Sequence, residues 1–498
     1  MVIEMESEAG SLLRAPSDQI DPPIERLQSL YKPFDTFSLE KAKHYQQQYG
    51  DMYFLRLTKL KPAAEKNAAE AWEGFQIAGE EARKVERVLD VRQGELCWVT
   101  GTIYMELPLK PNILEDISKD HWISAPPPRE KYLSADGGDL TMLEDESGRL
   151  RLIGSQLANE MLVTGCIVSV LGTENANGDF DVIDIKVPDL PPQPPRWAIA
   201  GPPSESNGSS RKVKRQKIED DEDVPESVPS GAGGKIAIVS GLGITGTSTE
   251  HSLQIELLVE FLLGEALDSE IQRNVAKISR LFIAGNSLSP ENDPISQVID
   301  ANTRNKKKYG YDSSAYNPAP TAHLDNLLAA LLPSIPITLI PGSADPANVS
   351  LPQQPLHPAM LPHARAYAAP PHSAATEQGQ PGWFDAVTNP WDGEVDGWRV
   401  LGTGGQNVDD VFKYVEGEDR LGSYPFQDDD PFVLNQCPHL FFVGSQPKFD
   451  TAVIEGPEGQ MVRLIAVPRF SETGEIVLVD SETLDVQRVA IGIFEHDR

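Results

Sequence analysis

The chain has 498 residues, enough for two or three domains that each bury a core. Its 43 Lys and Arg stand against 75 Asp and Glu, a formal net charge of -32, so the average field repels polyphosphate and excludes a stand-alone nucleic-acid binder while leaving room for a partner of one. Cys97, Cys166 and Cys437 form no CxxC pair, no run approaches the ~18 apolar residues of a membrane span, and the acidic start lacks the apolar core of a signal peptide. Reduced structural thiols, an intracellular location without membrane contact and no cofactor are expected.

Residues 1–40 read as a flexible polar lead-in, and 41–198 as a helical lead-in followed by a β-barrel domain. The helical stretch carries Tyr45, Tyr49, Tyr53, Phe54 and Leu57, which need a surface to pack on. From Val88 to Val187 short β-type runs, among them LCWVTGTIYM, LTMLEDESGRLRLIG and GDFDVIDIKV, are separated by the turn signals ESG and NANG, the signature of a small barrel. Residues 199–233 hold almost no large apolar side chain and read as a disordered linker.

Residues 234–498 alternate strands and helices as an α/β sandwich: KIAIVS, a helix with Leu253, Leu257, Leu258, Phe261 and Leu262 at helical spacing, RLFIAGNS, HLDNLLAALLPS, PITLIPGSAD and HLFFVGS. VRLIAVPRF and EIVLVD read as a closing hairpin. Stretches near 287–320 and 364–382 read as surface loops.

Gly241, Gly243 and Gly246 form a GxGxxG string after a strand, but TSTEHS intervenes before the helix and the next strand ends in Ala284-Gly285-Asn286 without a ribose-binding carboxylate. A nucleotide site is the weaker reading. The strand ends Ser240–Gly243, Gly285-Asn286, Pro341–Asp345 and Gly444–Gln446 together resemble the metallophosphoesterase layout, in which carboxylates, an amide and imidazoles clamp two cations. Gly241 and Gly243 stand at the first Asp and His, Asn286 at the bridging Asp, Ser343 and Ala344 at Asn and His, and Ser445 at a terminal His; Asp345 alone survives. A set with so few ligand atoms does not assemble a two-metal centre. His251, His323, His357, His363 and His439 fall at none of these positions and read as loop or surface residues.

Arg211, Lys212, Lys214, Arg215 and Lys217 form a basic cluster inside the linker, followed by the acidic run 219–223, a pattern that fits a nuclear import signal. A solvated polyampholyte is the plainer alternative. In the barrel, Trp98, Tyr104, Trp122 and Phe180 are scattered among acids, so core or interface packing accounts for them better than a stacking platform for single strands.

QQYGDMYFLRLTKLKP, VTGTIYMELPLKPNIL and LVTGCIVSVLG in the first half, and KIAIVSGLGI, LFIAGNSL, LIPGSADPANVSLPQQPLHPAMLPHA, NPWDGEVDGWRVLGTGGQNVDDVFKY and CPHLFFVGSQPKF in the second, resemble the DNA polymerase delta small subunit family over nearly the whole chain. The resemblance implies an OB-fold joined to a calcineurin-like phosphoesterase sandwich with a degenerate metal site. It implies a non-catalytic nuclear scaffold for DNA replication and repair that docks the cysteine-rich C-terminal domain of the polymerase delta catalytic subunit, holds a third subunit, can serve the polymerase zeta catalytic subunit and meets DNA only indirectly. It further implies that the N-terminal helix packs back onto the phosphoesterase domain. An active metal-dependent phosphoesterase or nuclease, and an OB-fold binder of single-stranded DNA, are the competing readings.

Overall fold

The computed structural model describes residues 24–40, 49–109, 138–198, 233–246, 252–265, 269–289, 317–369, 382–416, 424–426 and 429–492. After the short strand β1 (Tyr31–Pro33), helix α1 (Tyr49–Trp72) leads through the hairpin β2 (Gln76–Ile77) and β3 (Glu80–Glu81) and the strand β4 (Arg83–Lys84) into a barrel. The barrel is built from β5 (Leu96–Glu106), β6 (Leu140–Glu144), β7 (Arg149–Ile153), β8 (Ile167–Glu174) and β9 (Asp179–Lys186). The sheet runs β4-β5-β6-β7-β9-β8 and closes because β5 pairs with β8 over its first half and with β6 over its second. β5 changes partners beside Gly101, where a Cβ would meet the Glu144 carbonyl at 2.7 Å, so only glycine lets the two strands approach there. Alternate residues Cys97, Val99 and Ile103 point into a core with Leu143, Leu152, Val170 and Phe180.

Trp98 and Leu171, on the outer face of the barrel, are covered by Ala68 and Trp72 of α1, and Trp72 Nε1 donates to Asp184 Oδ2 at 2.8 Å. The expectation that this helix packs on the second half is therefore corrected. Its apolar stripe lies on the barrel, and Tyr53 donates its hydroxyl to the Glu144 carbonyl of the same unit. Among the described residues, side chains of α1 reach across in three ion pairs, Arg56 to Asp430 at 2.5 Å, Lys59 to Asp429 and Lys66 to Glu458.

The second half contains β10 (Lys235–Val239), α2 (Ser252–Leu263), α3 (Ser269–Ala276), β11 (Ile278–Ala284), α4 (Ala319–Leu331), β12 (Ile337–Ile340) and β13 (Phe384–Ala386). It continues with β14 (Trp391–Val395), β15 (Trp398–Thr403), α5 (Gln406–Glu416), β16 (Leu440–Gln446), β17 (Asp450–Glu455), β18 (Met461–Pro468), α6 (Phe470–Thr473), β19 (Glu475–Asp480) and β20 (Val486–Ala490). One sheet runs β13-β12-β11-β10-β19-β20 with its first four strands parallel. The other runs β1-β14-β15-β16-β18-β17, with β15, β16 and β18 parallel.

Alternation along β10 explains the layering. Ala237 and Val239 meet Leu258, Leu262 and Leu328 of the helices, whereas Ile236 and Ile238 meet Trp391, Phe442 and Ile465 of the other sheet. The expected closing hairpin does not form: β18 lies beside β16 in one sheet and β19 beside β10 in the other, and α6 carries the chain between the layers. A four-residue helical turn ended by Gly474 at φ 66° is short enough to look like a hairpin loop in sequence.

Residues 24–40 depart from the flexible lead-in expected for 1–40. β1 pairs antiparallel with β14, Arg26 donates to the carbonyls of Leu262, Val275 and Ile278, and Tyr31 stacks on Trp391 at 5.8 Å while its hydroxyl donates to Asp385 at 2.6 Å. The expected linker 199–233, apart from Gly233, lies outside the described residues, as do Tyr45 and Trp122.

Candidate functional site at the strand ends

The carboxyl ends of β10, β11, β12, β15 and β16 converge, and they bring Gly241, Gly243, Asn286, Ser343, Ala344, Asp345 and Ser445 together. Asn286 sits at the centre with φ 51°, a left-handed conformation that asparagine tolerates. Its Nδ2 donates to Ser445 Oγ at 2.9 Å, and its Oδ1 accepts from Ser343 Oγ at 3.2 Å and Ala344 N at 3.0 Å. Ser445, also left-handed at φ 55°, donates its backbone N–H to Ser240 Oγ at 2.6 Å, and Ser240 in turn donates to the Ala284 carbonyl. A neutral hydrogen-bonded chain thus ties the two sheets together.

Asp345 is 5% exposed, and three backbone amides take up its carboxylate: Leu288 N at 2.9 Å on Oδ1, and Gly342 N at 2.7 Å and Ser287 N at 3.3 Å on Oδ2. Burial raises its pKa, opposed by these amide bonds. The backbones themselves abut. A Cβ on Gly342 would lie 2.1 Å from Asn286 N, and one on Gly444 would lie 2.0 Å from the Ala284 carbonyl oxygen. Among the described residues no three His, Cys, Asp or Glu side chains form a group that could hold a metal ion.

The glycine string is engaged in the same way. Gly241 N donates to the Gly285 carbonyl, Gly243 N to Asn286 and Ile244 N to Ser287, so these amides point at a neighbouring loop rather than at an open phosphate cradle. Beside them a cleft of about 180 Å3 is lined by Ile244, Thr245, Ser252, Glu256 and His323, and His323 Nδ1 lies 3.2 Å from the Thr245 carbonyl.

A second set was missed in the sequence. Asn389 Nδ2 donates to Gln353 Oε1 and Gln406 Oε1, both at 2.9 Å, and Gln406 Nε2 donates to Gln353 Oε1 at 2.8 Å. Gln353 reaches the Gly342 carbonyl and Asn389 Oδ1 accepts from Gly404 N, which joins the amides to the strand ends. Isolated Asn and Gln in loop-like stretches carry no spacing signal, so only folding reveals them.

His439 corrects the surface reading of the histidines. It is 7% exposed, accepts from Arg399 N at 3.1 Å, packs edge-on to Trp398, and burial lowers its pKa. His357 caps Ala359 N, His363 pairs with Asp325 at 2.6 Å, and His251 lies outside the described residues. Burial pushes the Cys97 thiol up to about 11 and raises that of Cys437, consistent with inert thiols. The cluster Arg211, Lys212, Lys214, Arg215 and Lys217 lies outside the described residues.

On the barrel, Phe180 is core and Trp98 lies under α1, while Tyr104 is covered by the Arg149 guanidinium at 4.1 Å. Arg149 pairs with Glu144 and Arg151 with Asp179. Both cations therefore already have acidic partners on the barrel.

Residues 48–185 match the family model for the DNA polymerase delta subunit OB-fold domain, and residues 236–420 match that for the B-subunit of DNA polymerase alpha/epsilon. The chain is 33% identical to the DNA polymerase delta small subunit of Arabidopsis thaliana, over 93% of this chain and 95% of the relative. It is 32% identical to that of Saccharomyces cerevisiae, over 93% and 94%. DNA polymerase delta subunit 2 of Drosophila melanogaster is 28% identical, over 94% and 99%. A barrel within the residues matched as an OB-fold, a two-sheet α/β unit and collinear identity along almost all of both sequences lead to one conclusion: the chain belongs to the DNA polymerase delta small subunit family.

Proposed function

We propose that this chain is a non-catalytic accessory subunit that scaffolds DNA polymerase delta in the nucleus during replication and repair. In this reading residues 41–198 form the helix and OB unit, 199–233 a linker with the import cluster Arg211–Lys217, and 234–498 a calcineurin-like phosphoesterase sandwich that has lost its metals. The scaffold bridges the cysteine-rich C-terminal domain of the catalytic subunit and a third subunit, and it can also serve the polymerase zeta catalytic subunit.

The observation that carries the reading is the chain Ser343–Asn286–Ser445–Ser240. Where two-metal catalysis needs charged ligands around open coordination positions, these positions hold neutral side chains bonded to one another. With Asp345 taken up by backbone amides, no nucleophile-generating centre is available among the described residues. Paired cations on the barrel and the net charge of -32 argue equally against independent binding of single strands.

The direct test incubates the purified full chain with Mn2+ and phosphodiester or single-stranded DNA substrates. Hydrolysis at the buffer rate, and a thermal midpoint that Mn2+ does not raise, are expected. Metal-dependent turnover abolished by Asp345→Ala would instead establish the enzyme.

A further inference from the structure

The outer edges of the sheets differ in how they are protected. β1 is three residues long and carries Lys32 and Pro33; β4 is two residues, both basic; β13 has three residues; β20 carries Arg488. Short length, proline and outward cations are the usual means of keeping a sheet edge from pairing with another chain. β17 departs from this pattern. It has six residues, Asp450-Thr451-Ala452-Val453-Ile454-Glu455, with no Lys, Arg, Pro or register shift, and it pairs only with β18. Val453 and Ile454 are 41% and 43% exposed although they point to opposite faces, and Met461 opposite Glu455 is 55% exposed. Among the described residues no backbone bond reaches the outer side of β17.

We propose that β17 is a strand-addition site for an extended segment of a polymerase subunit whose apolar centre is flanked by Lys or Arg. The proposal rests on the scaffold reading above. An added strand satisfies the outward N–H and C=O groups and covers Ala452, Val453 and Ile454, while its basic flanks meet Asp450 and Glu455. Charge selects this occupant over a second copy. Two β17 strands paired antiparallel about their centre would place Asp450 opposite Glu455 at both ends, like charges directly across a ladder.

The test reconstitutes the full chain with the catalytic subunit and the remaining accessory subunit, follows assembly by co-elution, and measures amide hydrogen exchange at residues 450–455 in the free and assembled states. Exchange in this strand is expected to slow by at least about tenfold on assembly. The double variant A452K/I454K, at exposed positions, is expected to keep the wild-type thermal midpoint while weakening assembly by at least about tenfold, since it adds cations to face a basic-flanked partner. Unchanged exchange in a complex that demonstrably forms, or full-strength assembly of the variant, overturns the proposal and leaves the scaffold reading intact. Protection in the free chain that grows with concentration, or that vanishes on deleting 199–232, assigns the edge to a second copy or to this chain's own segment and also overturns it. Failure of the wild-type chain to assemble overturns both readings.

Discussion

Asp396 occupies the turn between β14 and β15 at φ 48°, and its carboxylate accepts from Leu30 N at 2.8 Å. Burial raises its pKa from 3.8 to about 6, only partly offset by the Leu30 bond and by Arg196 and Arg280. A carboxyl that holds its proton more tightly folded than unfolded lowers stability as pH rises through that interval, here about pH 4 to 6, and costs nothing below it. Asp396→Asn keeps an acceptor for Leu30 and is expected to flatten the pH dependence of the denaturation midpoint over this window. Stability at pH 7 should rise by about 1–3 kcal/mol. Asp345 behaves differently, because its oxygens answer three amide donors. Asp345→Asn turns an NH2 group toward an N–H, and chemical denaturation should report a loss of about 2–3 kcal/mol. The convergence of the seven strand-end residues was legible in sequence, because each follows an apolar run that ends in glycine or a small polar residue. That Asp345 is a structural anchor was not, since a surviving ligand and a buried cap are spelled alike.

At the scale of elements, the order of strands and helices was legible because each carries its own periodicity, whereas layer assignment was not. β18 and β19 are both apolar runs joined by a short link, and nothing in such a run records that one belongs beside β16 and the other beside β10. β1 was invisible for a related reason: three residues, one of them proline, pair with a strand some 360 positions later. Helix α1 joins the two halves with an apolar contact on one side and ion pairs on the other. Trp72→Ala removes a side chain that is 3% exposed and packed on Trp98, so the barrel should lose about 3–5 kcal/mol in denaturation. Arg56→Ala leaves the buried Asp430 without its cation, and a double-mutant cycle with Asp430→Asn should return a coupling of at least about 1 kcal/mol. The exposed pair Lys66–Glu458 should contribute little by the same measurement.

For the whole molecule, the strand ends are closed by neutral hydrogen bonds and by backbone contact, Cys97 and Cys437 are buried, and Arg149 and Arg151 on the barrel are paired. Among the described residues the outer edge of β17 is left unpaired, whereas the seam where α1 meets residues 429 and 430 is closed by ion pairs. Net acidity predicts that the isolated chain shows neither tight nor steeply salt-dependent binding of single-stranded DNA, measurable by anisotropy with a labelled strand. If the chain scaffolds the polymerase as proposed, its working part is protein surface of this kind. The most direct measurement is co-purification of the full chain with the polymerase delta catalytic subunit, with and without the partner's cysteine-rich C-terminal domain, in moderate salt. A stable complex that is lost when that domain is deleted is expected; no association with either form would overturn the scaffold proposal.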